Sequence, residues 1–339
     1  MFVLSNQQLQ SKRFYEKVIC SYNFFQSGRC DFQLKYIFIK PKNMIARLFL
    51  KLVDYPAFRR IIWKPIYEAT ARIKVADWHF MNYGYVPFEF EEPLQLKNKD
   101  EINRYSLQLY HYLISLVDVK DLEMLEVGSG RGGGAKYINE YLKPKKIIGL
   151  DIAHNAVRLA NENHSSETLQ FVQGNAENLP FADASFDAVI NVESSHAYGS
   201  VPAFLKEVKR VLRPKGYFLC SDMRSPNGMQ TLKSNLHATG MHLAIQEDIT
   251  ENVIRAIELE ETIKQKRISD NIPKWLTKPF KEFAGVKGSK IHQDLKSCSL
   301  VYHRFILQKI SSTDLIFNRQ KFNYENFIQV ESSKLKIQS

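Results

Sequence analysis

The stretch "LEVGSGRGGG", Leu125 to Gly134, decides how this chain is read. A short apolar run leads into a glycine cluster, and a helix-forming run follows. Gly128, Gly130 and Gly133 satisfy G-x-G-x-x-G, the pattern of dinucleotide-binding turns. Glycines let the backbone approach a ligand closely, and the next helix N-terminus offers free N–H groups. One letter disagrees with a pyrophosphate site: the incoming strand ends in a carboxylate, Glu126.

Outward from this turn the pattern is repetitive. "INRYSLQLYHYLISLV" has helical period, "LEMLEVGSG" is a short strand, and "GGGAKYINEYL" is a helix that Pro144 ends. "KIIGLDI", "LQFVQGNA", "FDAVINVES" and "GYFLCSDM" are further strands, separated by "HNAVRLANENH" and the amphipathic "VPAFLKEVKRVLR". A Pro-x-Gly turn, Pro214 to Gly216, leads into the fifth strand. Strands alternating with helices predict βαβ units and a parallel sheet covered on both faces. The strand C-termini then share one edge, where open α/β sheets bind ligands. After Asp222 the rhythm changes to a helix at "MQTLKSNLHAT", a strand at "HLAIQEDI" and one long charged helix over "ITENVIRAIELEETIKQKRI". "IPKWLTKPFKEFAG" and a late strand "CSLVYHRFILQ" close the region. The expected fold is Rossmann-like and doubly wound: a mostly parallel seven-stranded sheet with an antiparallel last strand and a helical insertion as substrate cap.

Composition bounds the rest. The chain has 339 residues, 44% hydrophobic and 24% charged, which is ordinary for a globular protein. No apolar run approaches the ~20 residues that span a bilayer. The start, "MFVLSNQQLQSKRFYEK", lacks the basic and apolar regions of a secretory signal. Cys20, Cys30, Cys220 and Cys298 are scattered without metal spacing, so reduced cytoplasmic thiols and no metal are expected. The net charge of +11 is uneven, because residues 35–74 hold ten Lys/Arg against Asp54 and Glu68. Nucleic acid is therefore not the expected partner: the basic charge sits on an appendage and not around the cleft. In that appendage Ile45, Leu48, Phe49 and Leu52 recur at helical spacing among Lys42, Arg47 and Lys51. Such a helix suits peripheral contact with an anionic membrane surface, and equally a helix packed on the enzyme with a solvated basic face. Three parts result: a basic aromatic extension over 1–75, the main domain over 76–310 with its cap within 223–296, and a tail over 311–339.

The cofactor reading starts from Glu126. A carboxylate repels pyrophosphate, whereas S-adenosylmethionine has no phosphate and carries a sulfonium and an ammonium. Asp151 ends the second strand, placed for ribose hydroxyls, a position that serves NAD equally. In "GNAENLPF", Gly174 to Phe181, the Asn175 side-chain oxygen and the Ala176 N–H match the two edges of an adenine. Past the fourth strand, His196 in "VESSHAY" is the candidate general base, with Asp222 to orient it or take the proton. Packing alone accounts for either residue nearly as well, and Glu193 reads as structural. Upstream, "DWHFMNYGYVPFE" places Tyr83 and Tyr85 to cover the methionine end, or simply to fill a groove. Trp275, Phe280 and Phe283 suit the roof of an apolar acceptor site, or the core of the insertion.

From about Asn82 to Gln308 the sequence resembles class I S-adenosylmethionine-dependent methyltransferases. More narrowly it is similar to the phthiotriol/phenolphthiotriol dimycocerosates methyltransferase family, which O-methylates lipid alcohols. "MLEVGSGRGGGAKYI", "FVQGNAENLPFADASFDAVINVESSHAY", "EVKRVLRPKGYFLCSDMR" and "EFAGVKGSKI" carry the likeness. One departure is Asn175, where such enzymes usually have Asp. The resemblance implies an S-adenosylmethionine-dependent methyltransferase acting on a lipid-like or polyketide-like hydroxyl. The implied cofactor set is Glu126, Gly128, Ser129, Gly130 and Gly133, then Asp151 and Ile152, then Asn175, Ala176 and Glu177. Asn191, Tyr83 and Tyr85 complete it. The alternatives are C-methylation of a sterol or prenyl-quinone acceptor, NAD-dependent oxidoreduction, and a non-catalytic module that keeps the fold.

Overall fold

A computed structural model of the chain describes residues 78–88, 94–272 and 274–311. The basic segment 35–74, the tail beyond Ser311 and the side chains of Trp275 and Phe283 lie outside the described residues.

Seven strands form one sheet in the order β3-β2-β1-β4-β5-β7-β6. They are β1 (Glu123–Val127), β2 (Lys146–Asp151), β3 (Leu169–Gln173), β4 (Phe186–Val192), β5 (Leu212–Arg224), β6 (His242–Asp248) and β7 (Val301–Gln308). The neighbours from β3 through β5 pair in parallel, and β7 runs antiparallel between β5 and β6. The expected mostly parallel sheet with an antiparallel last strand is therefore present.

Strand parity sorts the core into two layers. Met124, Ala188, Ile190 and Leu219 pack on one face with Leu109 and Leu113 of α1 (Arg104–Ile114). Leu125, Val127, Val189 and Phe218 point the opposite way, because successive strand side chains alternate. They meet Phe204 and Val208 of α4 (Val201–Val211) and Leu232 of α5 (Pro226–Ala238). Burying a side chain such as Leu or Phe contributes ~1.5–3 kcal/mol, so these two layers hold the sheet. Between them in sequence come α2 (Gly133–Tyr137), which runs into a π-helical turn over Ile138–Leu142, and α3 (His154–His164). Lys143, at φ 52°, ends that turn before Pro144. The Ser200 hydroxyl accepts from the Ala203 N–H and Pro202 follows in the first turn, which starts α4 sharply.

Three boundaries differ from the sequence reading. The Pro214–Gly216 turn lies inside β5, as an irregularity between the Leu212–Phe186 and Tyr217–Ala188 pairs, with Lys215 at φ 67°. The long charged helix is two helices, α6 (Thr250–Leu259) and α7 (Glu261–Asn271), because Glu260 leaves helical geometry at ψ −4°. Its buried carboxylate lies 3.0 Å from Lys264, so the bend keeps an ion pair inside. Within 223–296, α5 and β6 belong to the sheet architecture. α6 and α9 (Lys290–Lys296) add Val253, Ile257 and Leu295 to the core layer of α1, whereas Ile268 of α7 and Phe280 of α8 (Lys274–Phe283) belong to a separate apolar cluster with Ile272 and Val286. Among the described residues no helix is long and apolar enough to cross a membrane.

Candidate active site

The C-terminal ends of β1, β2 and β4 converge because their registers align: Val127 pairs with Leu150, and Glu126 with Ile190. Three turns therefore open onto one edge. The turn after β1 is built on left-handed glycines, with Gly128 at φ 77°, Gly130 at φ 52° and Gly132 at φ 83°. Any other residue is strained there. The Gly128 and Ser129 N–H groups both donate to the Leu150 carbonyl, at 2.7 and 3.0 Å. Asp151 ties the same turn from the side, accepting from Gly130 N at 2.8 Å and from Ala153 N at 2.9 Å.

Above this edge lies a cavity of about 420 Å³, within the range of small-molecule sites. Gly128, Ser129 and Gly130 form its floor, and Asp151 and Ile152 stand beside them. Asn175, Ala176, Glu177, His196 and Tyr83 also line it. Asn175 Oδ1 accepts from the Glu177 N–H at 3.0 Å, which shapes its turn. Glu177 in turn accepts from Gly199 N at 2.8 Å. The sequence thus brought most of its candidates to one place.

Four of them stand elsewhere. Glu126 is fully buried and absent from the cavity wall. Strand parity sends it toward α1, where it accepts a 2.7 Å hydrogen bond from the Tyr110 hydroxyl. Burial pushes its carboxyl up to about 8, against the hydrogen bonds from Tyr110 and the Ala135 N–H. It is therefore mostly protonated at neutral pH, and it supports the turn from below. Asn191 is also buried beneath the wall, and its amide donates to the Val127 carbonyl at 2.8 Å and to Ser194 Oγ at 2.7 Å. Gly133 is absent from the wall; a Cβ there would press on the His79 carbonyl and the Phe80 ring. Tyr85 stacks on Tyr112 at 4.1 Å, on the far side of its loop.

His196 and Asp222 pair: Nδ1 lies 2.8 Å from Asp222 Oδ1. Burial alone pushes the Asp222 carboxyl up. The Arg224 charge, the His196 ring and hydrogen bonds from His196 and Ser195 outweigh it and hold the group well below the usual carboxylate range. An ionised Asp222 makes Nδ1 the protonated nitrogen and leaves Nε2 as the basic one. Ser195 Oγ donates to Asp222 Oδ2 at 2.7 Å, and Arg224 lies 2.9 Å from Oδ1.

Sequence reasoning missed part of this arrangement. Arg224 and Ser195 anchor Asp222, Tyr198 and Ser194 pack where a Cβ on Gly128 would fall, and Tyr302 donates to Glu193 Oε1 at 2.8 Å. Ser194, Ser195 and Tyr198 lie inside the quoted "VESSHAY" stretch, so proximity to His196 was an available clue. Tyr302 sits over a hundred residues away, and only the β5–β7 pairing brings it near.

Whether the cavity fits S-adenosylmethionine is testable on its own atoms. A Cβ built on Gly130 meets nothing within 4 Å, so the glycine opens space for a ligand against the backbone. The buried Ser129 hydroxyl has no hydrogen-bond partner among the described residues, and Asp151 offers carboxylate oxygens at the wall. The space beside Gly130, the Ser129 hydroxyl and the Asp151 carboxylate fit the group.

The methyltransferase-domain family matches residues 125–220. The phthiotriol/phenolphthiotriol dimycocerosates methyltransferase of Mycobacterium tuberculosis is 38% identical over 232 residues, covering 68% of this chain and 85% of that protein. The fatty-acid O-methyltransferase of Mycolicibacterium smegmatis is 43% identical over 56% of this chain and 69% of its own length. Among solved structures, geranyl diphosphate C-methyltransferase of Streptomyces coelicolor superposes with a TM-score of 0.54 at 12% identity. That match covers 74% of this chain and 98% of the other. The chain is an enzyme of the class I S-adenosylmethionine-dependent methyltransferases, and within them it belongs to the family of the phthiotriol/phenolphthiotriol dimycocerosates methyltransferases.

Proposed function

We propose that the enzyme methylates an oxygen of a lipid-like acceptor and that His196 is the general base. The observation that carries the reading is the His196–Asp222 pair at 2.8 Å in the wall of the cofactor cavity. When bound, S-adenosylmethionine supplies an electrophilic methyl group on its sulfonium. A neutral hydroxyl is a weak nucleophile until its proton is accepted, and His196 Nε2 is the basic nitrogen available for that. Asp222 holds the ring orientation and stabilises the imidazolium that forms. Positioning contributes the larger share of acceleration, and general-base help ~10²–10⁴-fold. The largely apolar wall, which includes Val192, Met223 and Ile291, suits an acyl or alkyl chain. The names of the two relatives, one acting on phthiotriol-type lipids and one on fatty acids, agree with that class of acceptor.

The test is transfer of a labelled methyl group to long-chain alcohols and to fatty acids, with the product identified by mass spectrometry. A methyl ether supports both the oxygen acceptor and the base, whereas a methyl ester supports the oxygen acceptor and leaves His196 no proton to take, because a carboxylate is already ionised. Label on carbon overturns it in favour of the sterol or prenyl-quinone type of reaction.

A further inference from the structure

Glu193 has no place in the reaction described above, yet three independent features single it out. It follows β4 directly and adopts φ 46°, a left-handed conformation that a glutamate holds only when its surroundings enforce it. Its carboxylate is buried while the residue lines the cavity wall. One oxygen, Oε1, accepts two hydrogen bonds at once, from the Tyr83 backbone N–H at 2.9 Å and from the Tyr302 hydroxyl at 2.8 Å.

These contacts join three parts of the chain that are remote in sequence. Tyr302 lies on β7, Glu193 at the end of β4, and Tyr83 in the segment that covers the cavity. Residues 79–83 of that segment all line the cavity. On its outer side the Tyr83 ring is pressed against Gly285, where an added Cβ would overlap it, and Lys264 of α7 stands 5.9 Å from the ring centroid. The covering segment is thus gripped by the cap from outside and by Glu193 from inside.

We propose that Glu193 is a positioning residue, a latch that holds the Tyr83 segment closed over the cofactor and so sets cofactor affinity. The latch rests on the cofactor site alone and is independent of which acceptor atom is methylated. The left-handed backbone at Glu193 turns its side chain toward Tyr83, and Tyr302 fixes the carboxylate for that contact. Burial pushes the Glu193 carboxyl up to about 7, opposed by the bonds from Tyr83 and Tyr302 and by His196, and reinforced by Asp222. The charged and titratable groups facing it are Asp222 on β5, His196 in the following loop, Tyr302 on β7, and Tyr110 on α1. A protonated carboxyl still accepts through its carbonyl oxygen, so the Tyr83 contact survives protonation.

Hydrogen exchange of the Tyr83 amide and calorimetric binding of S-adenosylmethionine test this without any acceptor. Glu193→Ala is expected to raise exchange across residues 79–86 at least tenfold, to leave β4 and β5 protected, and to weaken cofactor Kd about tenfold. If that variant does not fold, Tyr302→Phe, which removes the hydroxyl that fixes the carboxylate, serves instead, with a smaller rise in exchange expected over the same residues. Glu193→Gln, which keeps an accepting oxygen for both donors, is expected to retain most of the wild-type protection at Tyr83. Unchanged exchange at Tyr83 in Glu193→Ala, exchange that rises through the whole sheet, or a Glu193→Gln variant as loose as Glu193→Ala overturns the latch. Failure of the oxygen-methylation reading would leave all of these measurements as they are.

Discussion

His196 donates into Asp222 twice, through Nδ1 at 2.8 Å and through its backbone N–H to Oδ2 at 3.1 Å. The carboxylate thereby fixes both the ring and the loop that carries it. Asp222 is in turn held by Ser195 and Arg224, so the geometry does not depend on the loop alone. His196→Ala is expected to lower kcat ~10²–10⁴-fold while leaving cofactor binding in place. Asp222→Asn, which can donate to Nδ1 and so impose the other tautomer, is expected to cost a similar factor. The double variant should be little worse than either single one, because the two act as a unit. Steady-state rates on the true acceptor check this, and full activity in His196→Ala removes it from the role of base.

Two glycines of the same turn separate folding from binding. A Cβ on Gly128 would overlap Ser194 and Tyr198, whereas one on Gly130 points into open space. Both have positive φ, so alanine costs ~1–2 kcal/mol of strain at either position. Gly128→Ala should therefore melt at clearly lower temperature than Gly130→Ala. Gly130→Arg should fold and yet fail to bind S-adenosylmethionine, since its side chain fills the floor of the cavity. Thermal melts beside calorimetric titrations distinguish the two effects. A Gly130→Arg protein that still binds the cofactor refutes the assignment of that floor.

Much of this was legible in the chain itself. The alternation of strands and helices from Asn103 onward specified the layers, because apolar periods of two and of about 3.6 residues leave few other ways to bury both faces. The positions of Gly128, Asp151, Asn175 and His196 followed, since each ends or follows a strand at the same edge. Glu126 was different. Its residue type pointed to the correct cofactor, but parity places its side chain under the turn, against Tyr110, and no one-dimensional reading weighs a carboxylate's burial. The break at Glu260 was hidden for a similar reason: the residue is a good helix former, and a buried ion pair with Lys264 accompanies the bend. Asn191 and Tyr85 lie near the site in sequence, but Asn191 is buried beneath its wall, bonded to Ser194, and Tyr85 stacks on Tyr112.

Asp151 joins the glycine turn to the helix after β2 through two accepted hydrogen bonds, from Gly130 and Ala153. Its replacement should therefore affect the shape of the floor as well as any ribose contact. Asp151→Asn keeps Oδ1 for Ala153 but presents an amide to the Gly130 N–H. Asp151→Ala removes both. Cofactor Kd is expected to rise ~10-fold or more in each, since hydrogen bonds to charged groups contribute ~1.5–3 kcal/mol. Calorimetry on the purified variants checks it, and an unaltered Kd for Asp151→Ala would show that the carboxylate is dispensable to the site.

Glu126 makes a prediction about stability that runs opposite to the usual carboxylate. Its folded pKa, raised by burial to about 8, lies above the unfolded value near 4.5. The folded state thus binds a proton that the unfolded state has already lost, and stability from this group falls as pH rises through that window. It falls by at most ~1.4 kcal/mol per pH unit, and the decline ends once pH passes the folded pKa. Glu126→Gln keeps an oxygen for the Tyr110 hydroxyl and has no proton to lose. Relative to wild type, the glutamine variant should therefore gain stability steadily between pH 5 and pH 8.5. Paired denaturant titrations at both pH values cancel the contribution of every other titrating group. A glutamine variant that falls further behind wild type at pH 8.5 than at pH 5 means that the buried carboxyl is ionised, and that the turn rests on a charge.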